Sequence, residues 1–218
     1  MIFGVHPYLI LPLISLFFVL VFGGLSLLRH EGLSNQFALE VLILTGLALL
    51  LSWGLGVIIN PIFFLILVYL VSMRARLLVD VANPLSMRGK HQIAESLFRL
   101  ALRLRPDAVA RLIVLINYGI THLRQGKYKE AIEVLEEVLS AKPLGTLAPK
   151  YEAACRYNLG LAYLRAGEER KAVREFNEVI DLMPGSLHAV GARTALRKRK
   201  EEARIRPQPA GLSQKEDG

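Results

Sequence analysis

The sequence predicts an all-α chain in which N-terminal transmembrane helices precede a solenoid of three helical hairpins and a C-terminal capping helix. Long apolar runs without charges fill the first third, and one set of residue offsets occurs three times in the rest. Of 27 Lys and Arg and 19 Asp and Glu residues, only Arg29, Glu31 and Glu40 precede residue 74. A membrane part and a basic soluble part are therefore expected to have separate cores.

The apolar part is long enough for several membrane spans. Residues 8–28 contain no charged residue and match the roughly 20 residues that cross a bilayer as a helix. Residues 37–73 would form a helix far longer than a bilayer core of about 30 Å, so the chain is expected to fold back at the glycines and the Asn-Pro pair within residues 53–61. The predicted spans are 8–28, 37–53 and 57–73. A two-span hairpin with one tilted and broken helix is the alternative.

The basic residues predict the orientation of these spans. With three spans, Arg29 lies on the same side as Arg74, Arg76, Arg88 and Lys90, and the opposite side has no Lys or Arg. The positive-inside rule then places the soluble part in the cytoplasm, with the bacterial inner membrane as the expected location of a multi-pass chain.

One acidic residue, Glu40, lies within the apolar runs. It is expected near a membrane end, within reach of headgroups. A proton or ion site is less favoured because no second charged residue accompanies it inside the membrane.

The third span is predicted to continue out of the bilayer as the first helix of the soluble part. Leu77, Leu78 and Val81 keep helical apolar spacing, and Asn83-Pro84 is expected to end this helix. No flexible linker lies between the two parts, so a short rigid coupling is expected.

The repeated offsets are clearest in the last copy, where they are +3, +7, +12, +16 and +24 from a glycine. The small residues would let two antiparallel helices approach closely, the second glycine would form the turn between them, Phe176 would fill the space between repeats, and the proline would end the unit. The copies are Ala82, Gly89, Ala94, Phe98 and Pro106; Gly119, Gly126, Ala131, Leu135 and Pro143; and Gly160, Tyr163, Gly167, Ala172, Phe176 and Pro184.

From about residue 76 to residue 185 this spacing resembles the tetratricopeptide repeat (TPR) family. The resemblance implies stacked helix pairs whose first helices line a concave groove that receives a peptide or a partner helix. The turn glycines here are 37 and 41 residues apart, against a family period of about 34. The extra residues fall near residues 107–110 and 144–150.

The resemblance also implies which residues face the groove. Asn117 and Asn158 each stand two residues before a first-helix glycine and resemble the asparagine with which chaperone-binding members hold a peptide backbone. The lysines that complete a carboxylate clamp in those members are replaced by Ile113 and Ala154, so a C-terminal carboxylate ligand is not expected. Arg124 and Arg165 are interpreted either as partners for acidic side chains or as solvated helix ends. The groove candidates are Ile113, Ile116, Asn117, Ile120, Arg124, Tyr157, Asn158, Leu161 and Arg165.

The C-terminal region is predicted to cap the stack. Ser186 is a candidate N-cap, and Leu187, Val190 and Leu196 are expected to pack on the last repeat. The basic cluster that follows is either a solvated face or a contact for anionic lipid headgroups; nucleic acid is less favoured, because no aromatic residues are interleaved with it. The cluster comprises Arg197, Lys198, Arg199 and Lys200. The predicted units are 1–74 transmembrane, 75–185 repeats, 186–205 cap and 206–218 disordered tail.

No catalytic motif, metal-ligand spacing or cofactor motif is found. The five histidines are scattered, His122 is expected to be a packing residue, and the single cysteine, Cys155, is expected to be a buried structural thiol. A non-enzymatic, membrane-anchored adaptor or assembly scaffold with a protein or peptide ligand is therefore the predicted function. A permanent structural subunit of a membrane complex is the alternative, and a membrane enzyme or transporter is less favoured.

Overall fold

A computed structural model describes residues 7–28, 35–140 and 148–205. Within these residues the chain forms ten helices. Their bounds are α1 Pro7–Leu28, α2 Asn35–Leu55, α3 Pro61–Ser72, α4 Arg74–Met87, α5 His91–Arg103, α6 Ala108–Arg124, α7 Tyr128–Ser140, α8 Pro149–Arg165, α9 Glu169–Leu182 and α10 Leu187–Ile205. Arg29, Pro143, most of the loop predicted over residues 144–150 and the tail predicted over residues 206–218 lie outside the described residues.

Helices α1 to α3 form an apolar unit with a small core. Leu11 and Phe18 of α1, Val41 of α2 and Phe64 of α3 are among its buried residues. The outer surface is also apolar: Phe17 is 67% exposed and Trp53 is 80% exposed. Among the described helices, α2 is long and apolar enough to cross a membrane, and α3 with α4 would be a second candidate if this bent pair counts as one span. Within α1, Leu9–Leu25 forms a shorter apolar helical stretch.

The helix predicted over residues 57–73 begins only at Pro61. The side-chain oxygen of Asn60 accepts a hydrogen bond from the backbone N–H of Ile62 at 2.9 Å, and Pro61 occupies the first helical position, so the helix starts there. Its 12 residues correspond to about 18 Å, less than the thickness of a bilayer core.

The prediction that this helix continues unbroken into the first repeat is wrong. The chain breaks at Met73, and α3 and α4 are bent by 68° relative to each other. The predicted stop at Asn83-Pro84 is wrong too, because α4 continues through Pro84 to Met87. Pro84 removes one backbone hydrogen bond from the helix, and its side chain is exposed near the end of α4. Ala82 and Ser86 on either side of it are buried in the first repeat, and this burial outweighs the loss of the bond.

Helices α4 to α9 form three antiparallel pairs that stack in sequence order, with the first helices α4, α6 and α8 side by side. The turns lie at Gly89, Gly126 and Gly167, whose φ angles of 77°, 76° and 84° are costly for any residue with a side chain. The predicted hairpins and their turns are therefore confirmed. Phe176 differs from the prediction, because it packs inside its own pair against Gly160 and not between repeats.

The capping helix α10 packs on the last repeat through smaller side chains than predicted. Ala189 and Ala192 are fully buried, whereas Leu187 is 88% exposed and Val190 is 53% exposed, so the prediction for these two is wrong. Gly191 lets the helix approach closely, since a Cβ there would lie 2.7 Å from the Tyr157 hydroxyl oxygen. The predicted N-cap is present: the Ala189 N–H donates to Ser186 Oγ at 3.1 Å.

Candidate partner-binding face

Asn117 on α6 and Asn158 on α8 occupy matching places on neighbouring helices. Each side chain donates from Nδ2 to the carbonyl four residues earlier, of Ile113 and Ala154, at 2.7 Å in both cases. The two amides thus adopt the same orientation, and this bond leaves the amide oxygen of each free to accept from a ligand.

Arg124 and Arg165 occupy a second pair of matching places, in the last turns of α6 and α8. Both side chains are exposed. Arg124 donates from Nη1 to Ser86 Oγ at 3.1 Å, and Arg165 has no ion pair within the described part of the chain. The two guanidinium groups therefore give this face a positive charge at the helix C-termini, where the helix dipole favours cations.

The apolar candidates divide into two groups. Ile113, Ile120 and Leu161 are partly exposed, so a ligand can contact them. Ile116 is only 4% exposed and packs in the core, so its assignment to the binding face is wrong. A first helix packs on its own partner and on the neighbouring repeats, which leaves only a narrow outer stripe.

Tyr157 contacts the capping helix instead of forming open surface. Its ring centroid lies 5.5 Å from that of His188 on α10 and 6.1 Å from that of Phe176. The remaining candidates Asn117, Ile120, Arg124, Asn158, Leu161 and Arg165 are at least partly exposed on the neighbouring helices α6 and α8, and they are named here the α6–α8 face.

The predicted basic cluster on α10 is divided. Arg197, Lys198 and Lys200 are exposed, but Arg199 donates to Glu169 Oε2 on α9 from Nη2 at 2.6 Å and from Nε at 3.0 Å. Arg199 thus helps to hold the cap on the last repeat. Its predicted membership of a free basic surface is wrong.

Cys155 and His122 pack inside the repeats. Cys155 is fully buried and its thiol donates to the Leu135 carbonyl at 3.4 Å; burial raises the pKa of this thiol to about 12. His122 lies against the Tyr118 ring with a centroid distance of 4.4 Å, and burial lowers the pKa of its imidazole. In the described ranges, no three His, Cys, Asp or Glu side chains are arranged to hold a metal ion.

One polar cluster, formed by Gln36, Glu40, Arg74 and Arg105, was not predicted from the sequence. Glu40 is the only charge in a long apolar run and Arg74 is the first charge after it. Since α2 and α3 are antiparallel, the start of the first and the end of the second meet. The opposite charges of Glu40, near the start of α2, and Arg74, just after the end of α3, could therefore have predicted this ion pair.

Three stacked helix pairs with adjacent first helices and a capping helix define a helical-hairpin solenoid, a class in which neighbouring repeats create an extended binding surface. Tetratricopeptide repeat family models match residues 73–143 and 117–186, together more than half of the chain. Residues 73–186 therefore contain tetratricopeptide repeats, and tetratricopeptide repeat domains bind protein or peptide partners. No curated protein matches the chain.

Proposed function

We propose that the protein is a membrane-anchored adaptor or assembly scaffold that binds a protein segment on the α6–α8 face. The observation that carries this proposal is the matching placement of Asn117 with Asn158 and of Arg124 with Arg165. Packed helices lie about 8–10 Å apart, which corresponds to about three residues of an extended peptide at about 3.3 Å each. Neighbouring repeats can then make the same contact with successive groups of three residues in an extended ligand.

The apolar surface of α1 to α3 supports membrane anchoring. Leu42, Ile58 and Phe63 are 70%, 80% and 64% exposed, on a surface with many similar side chains. Soluble monomers rarely expose apolar patches larger than a few hundred Å², and a bilayer would cover this one. The proposed arrangement is a multi-pass chain with residues 1–74 as the membrane unit and residues 75–205 in the cytoplasm, on the side of Arg74, Arg76, Arg88 and Lys90.

Membrane insertion is tested by alkaline carbonate extraction and by protease protection in sealed vesicles. The chain should remain in the membrane pellet, and cleavage of the repeats should occur from the cytoplasmic side. Release by carbonate, or protection of the repeats from protease added on that side, would overturn the anchoring or its orientation.

The second candidate function is a permanent structural subunit of a membrane complex. Leu187 and Val190 favour it, because these side chains leave an apolar outer surface on the cap that a fixed neighbour could bury. Purification in mild detergent separates the two functions. A stoichiometric partner resistant to salt indicates the subunit, and a salt-sensitive, substoichiometric partner indicates the adaptor.

The α6–α8 face is tested by the double substitution Asn158→Ala and Leu161→Glu. We expect loss of partner capture, because the first change removes an amide and the second places a charge on an apolar contact. The matched control, Asn177→Ala with Leu182→Glu, makes the same changes at exposed positions of α9. Capture should survive in the control, with unchanged circular dichroism in both variants. Equal capture by both would exclude this face.

Anionic lipid is proposed as a secondary partner of Arg197, Lys198 and Lys200. Near a charged membrane each Lys or Arg contributes about 1 kcal/mol. In the full chain reconstituted into vesicles that contain phosphatidylserine, replacing the three residues by glutamine should reduce cross-linking of the capping helix to this lipid. Unchanged cross-linking would indicate a solvated face.

A further inference from the structure

The Arg74 guanidinium connects the apolar helices to the repeats. Its Nη1 lies 2.7 Å from Glu40 Oε2 and its Nη2 lies 2.8 Å from Glu40 Oε1, so the two side chains form a bidentate ion pair. Glu40 is on α2, and Arg74 is the first residue of α4. Such fork-to-fork pairs combine charge with a defined geometry.

The same group also reaches the corner between α5 and α6. Arg74 Nε donates to the Leu104 carbonyl at 3.0 Å, and Nη2 donates to the Arg105 carbonyl at 3.1 Å. Gln36 Nε2 donates to the same Arg105 carbonyl at 2.7 Å and to Glu40 Oε1 at 3.0 Å. One network thus joins α2, α4 and the end of the first repeat.

Arg105, whose carbonyl accepts two of these hydrogen bonds, has a left-handed backbone conformation. Its φ angle is 49°, the one positive value outside glycine in the described chain. Residues with a side chain adopt this left-handed conformation at an energetic cost. Here the residue directs its carbonyl towards two donors, Gln36 and Arg74.

Close backbone packing contributes little to the orientation of the repeats. Among the described helices, none of α1 to α3 packs its backbone closely on α5 to α10, and the link from α3 to α4 is the single residue Met73. The Glu40 and Arg74 side chains are only 22% and 23% exposed, so losing either one would leave the other partly buried without its counter-charge.

We propose that Gln36, Glu40 and Arg74 form a latch that holds the repeats in one orientation against α1 to α3, with Met73 as the hinge. When the latch opens, the repeats pivot about Met73. A closed latch presents the α6–α8 face to a partner at a fixed angle to the apolar helices. This inference does not depend on the identity of the partner or on membrane insertion.

The test measures the distance between spin labels at Leu39→Cys on α2 and Arg170→Cys on α9, both exposed positions, in the full chain in detergent. The buried Cys155 thiol should remain unlabelled, which a sample without the added cysteines verifies. We expect one narrow distance with the native latch. In Glu40→Gln and in Arg74→Ala the distribution should broaden, with the open fraction rising about tenfold or more, because each charge-assisted hydrogen bond changes an equilibrium by roughly that factor.

Two controls separate the latch from general effects of substitution. Glu137→Gln breaks the ion pair with Arg111, which at 2.8 Å joins α6 to α7 away from the junction, and should leave the distance unchanged. Arg105→Gly keeps the carbonyl and relaxes the backbone, so it too should keep the narrow distance. Arg74→Lys retains the charge without the fork and should give an intermediate distribution.

The latch is overturned if Glu40→Gln and Arg74→Ala both keep the native distance, or if the native protein already shows a broad one. Amide exchange in the repeats distinguishes pivoting from unfolding: protection within α6 to α9 should stay unchanged when the latch opens. Loss of that protection would identify Arg74 as a folding residue and would also overturn the proposal. Partner capture and membrane insertion are not involved in either outcome.

Discussion

Two glycines set how closely the helices of a repeat approach. A Cβ at Gly119 would lie 2.8 Å from Leu135 Cγ, and one at Gly160 would lie 2.7 Å from Phe176 Cε1. Both distances are below van der Waals contact, so each glycine accepts a large side chain from the second helix. This contact explains why the glycine and the large residue recur at the same offset in the last two copies.

We predict that Gly160→Ala destabilises the protein. Alanine adds about 1 kcal/mol of helix propensity, but overpacking a well-packed core costs about 1–3 kcal/mol, and the ring of Phe176 is buried, with 2% exposed. The net loss should appear as a lower midpoint of urea unfolding. Gly185→Ala, where a Cβ meets open space, is the control. A midpoint for Gly160→Ala at or above that of the native protein would show that the ring can shift.

Cys155 should make the stability depend on alkaline pH. Its pKa is raised from 9.0 to about 12 by burial, so above pH 9 the unfolded chain loses the thiol proton while the folded chain keeps it. The stability conferred by the neutral thiol is therefore complete below pH 9 and declines between about pH 9 and pH 12. Urea unfolding of Cys155→Ala should show a shallower decline over this window. The same slope in both proteins would contradict a buried, neutral thiol.

The candidate binding residues could be predicted by their place on the helix but not by their exposure. The offsets predict matching places for Asn117 and Asn158, and both side chains make the same hydrogen bond to the carbonyl four residues earlier. Ile116 and Tyr157 carry no comparable signal, since apolar residues occur both on the outer stripe and against the neighbouring helices. Only the packing of the core around Ile116, and of α10 on Tyr157, distinguishes the two cases.

At the scale of elements, the start of α10 was predicted better than the start of α3 or the break between α3 and α4. Ser186 caps α10 through a local hydrogen bond that residue type indicates, whereas Asn60, interpreted as a turn residue, caps a helix that was predicted to begin at residue 57. Met73 carries no breaking signal, because the 68° bend accompanies long-range bonds from Arg74 to α2 and to the α5–α6 corner. The helix end predicted at Pro84 was wrong, because burial of Ala82 and Ser86 outweighs the cost of a proline within α4.

The Ser186 cap provides a prediction for α10. Ser186→Ala removes the bond from the Ala189 N–H to Ser186 Oγ, and loss of an N-cap typically costs about 1 kcal/mol. The effect should appear as faster amide exchange in the first turn of α10 and a small fall in the thermal midpoint. Thr194→Ala is a matched control, because its hydroxyl bonds the Val190 carbonyl inside the same helix. If both substitutions had the same effect, the cap would not anchor α10.

At the scale of the whole molecule, the repeats contain two cores joined in series. One is formed by α4, α5 and the start of α6, and the other extends from α6 through α10. Leu102 packs against both, and α4 and α5 both pack on α6, so the first repeat is coupled to the rest through α6. Stability in such a stack depends on neighbouring repeats, and a change at one end should weaken with distance.

Removal of the capping helix tests this arrangement. A chain ending at Ser186 loses Ala189 and Ala192 from the second core and uncovers Tyr157. We expect a lower thermal midpoint and a loss of amide protection that is largest in α8 and α9 and smallest in α4 and α5, because coupling passes only between neighbours. A chain lacking only residues 206–218 is the control and should keep its protection. An equal loss of protection in all three helix pairs would mean that the repeats unfold as one unit, contrary to the two-core arrangement.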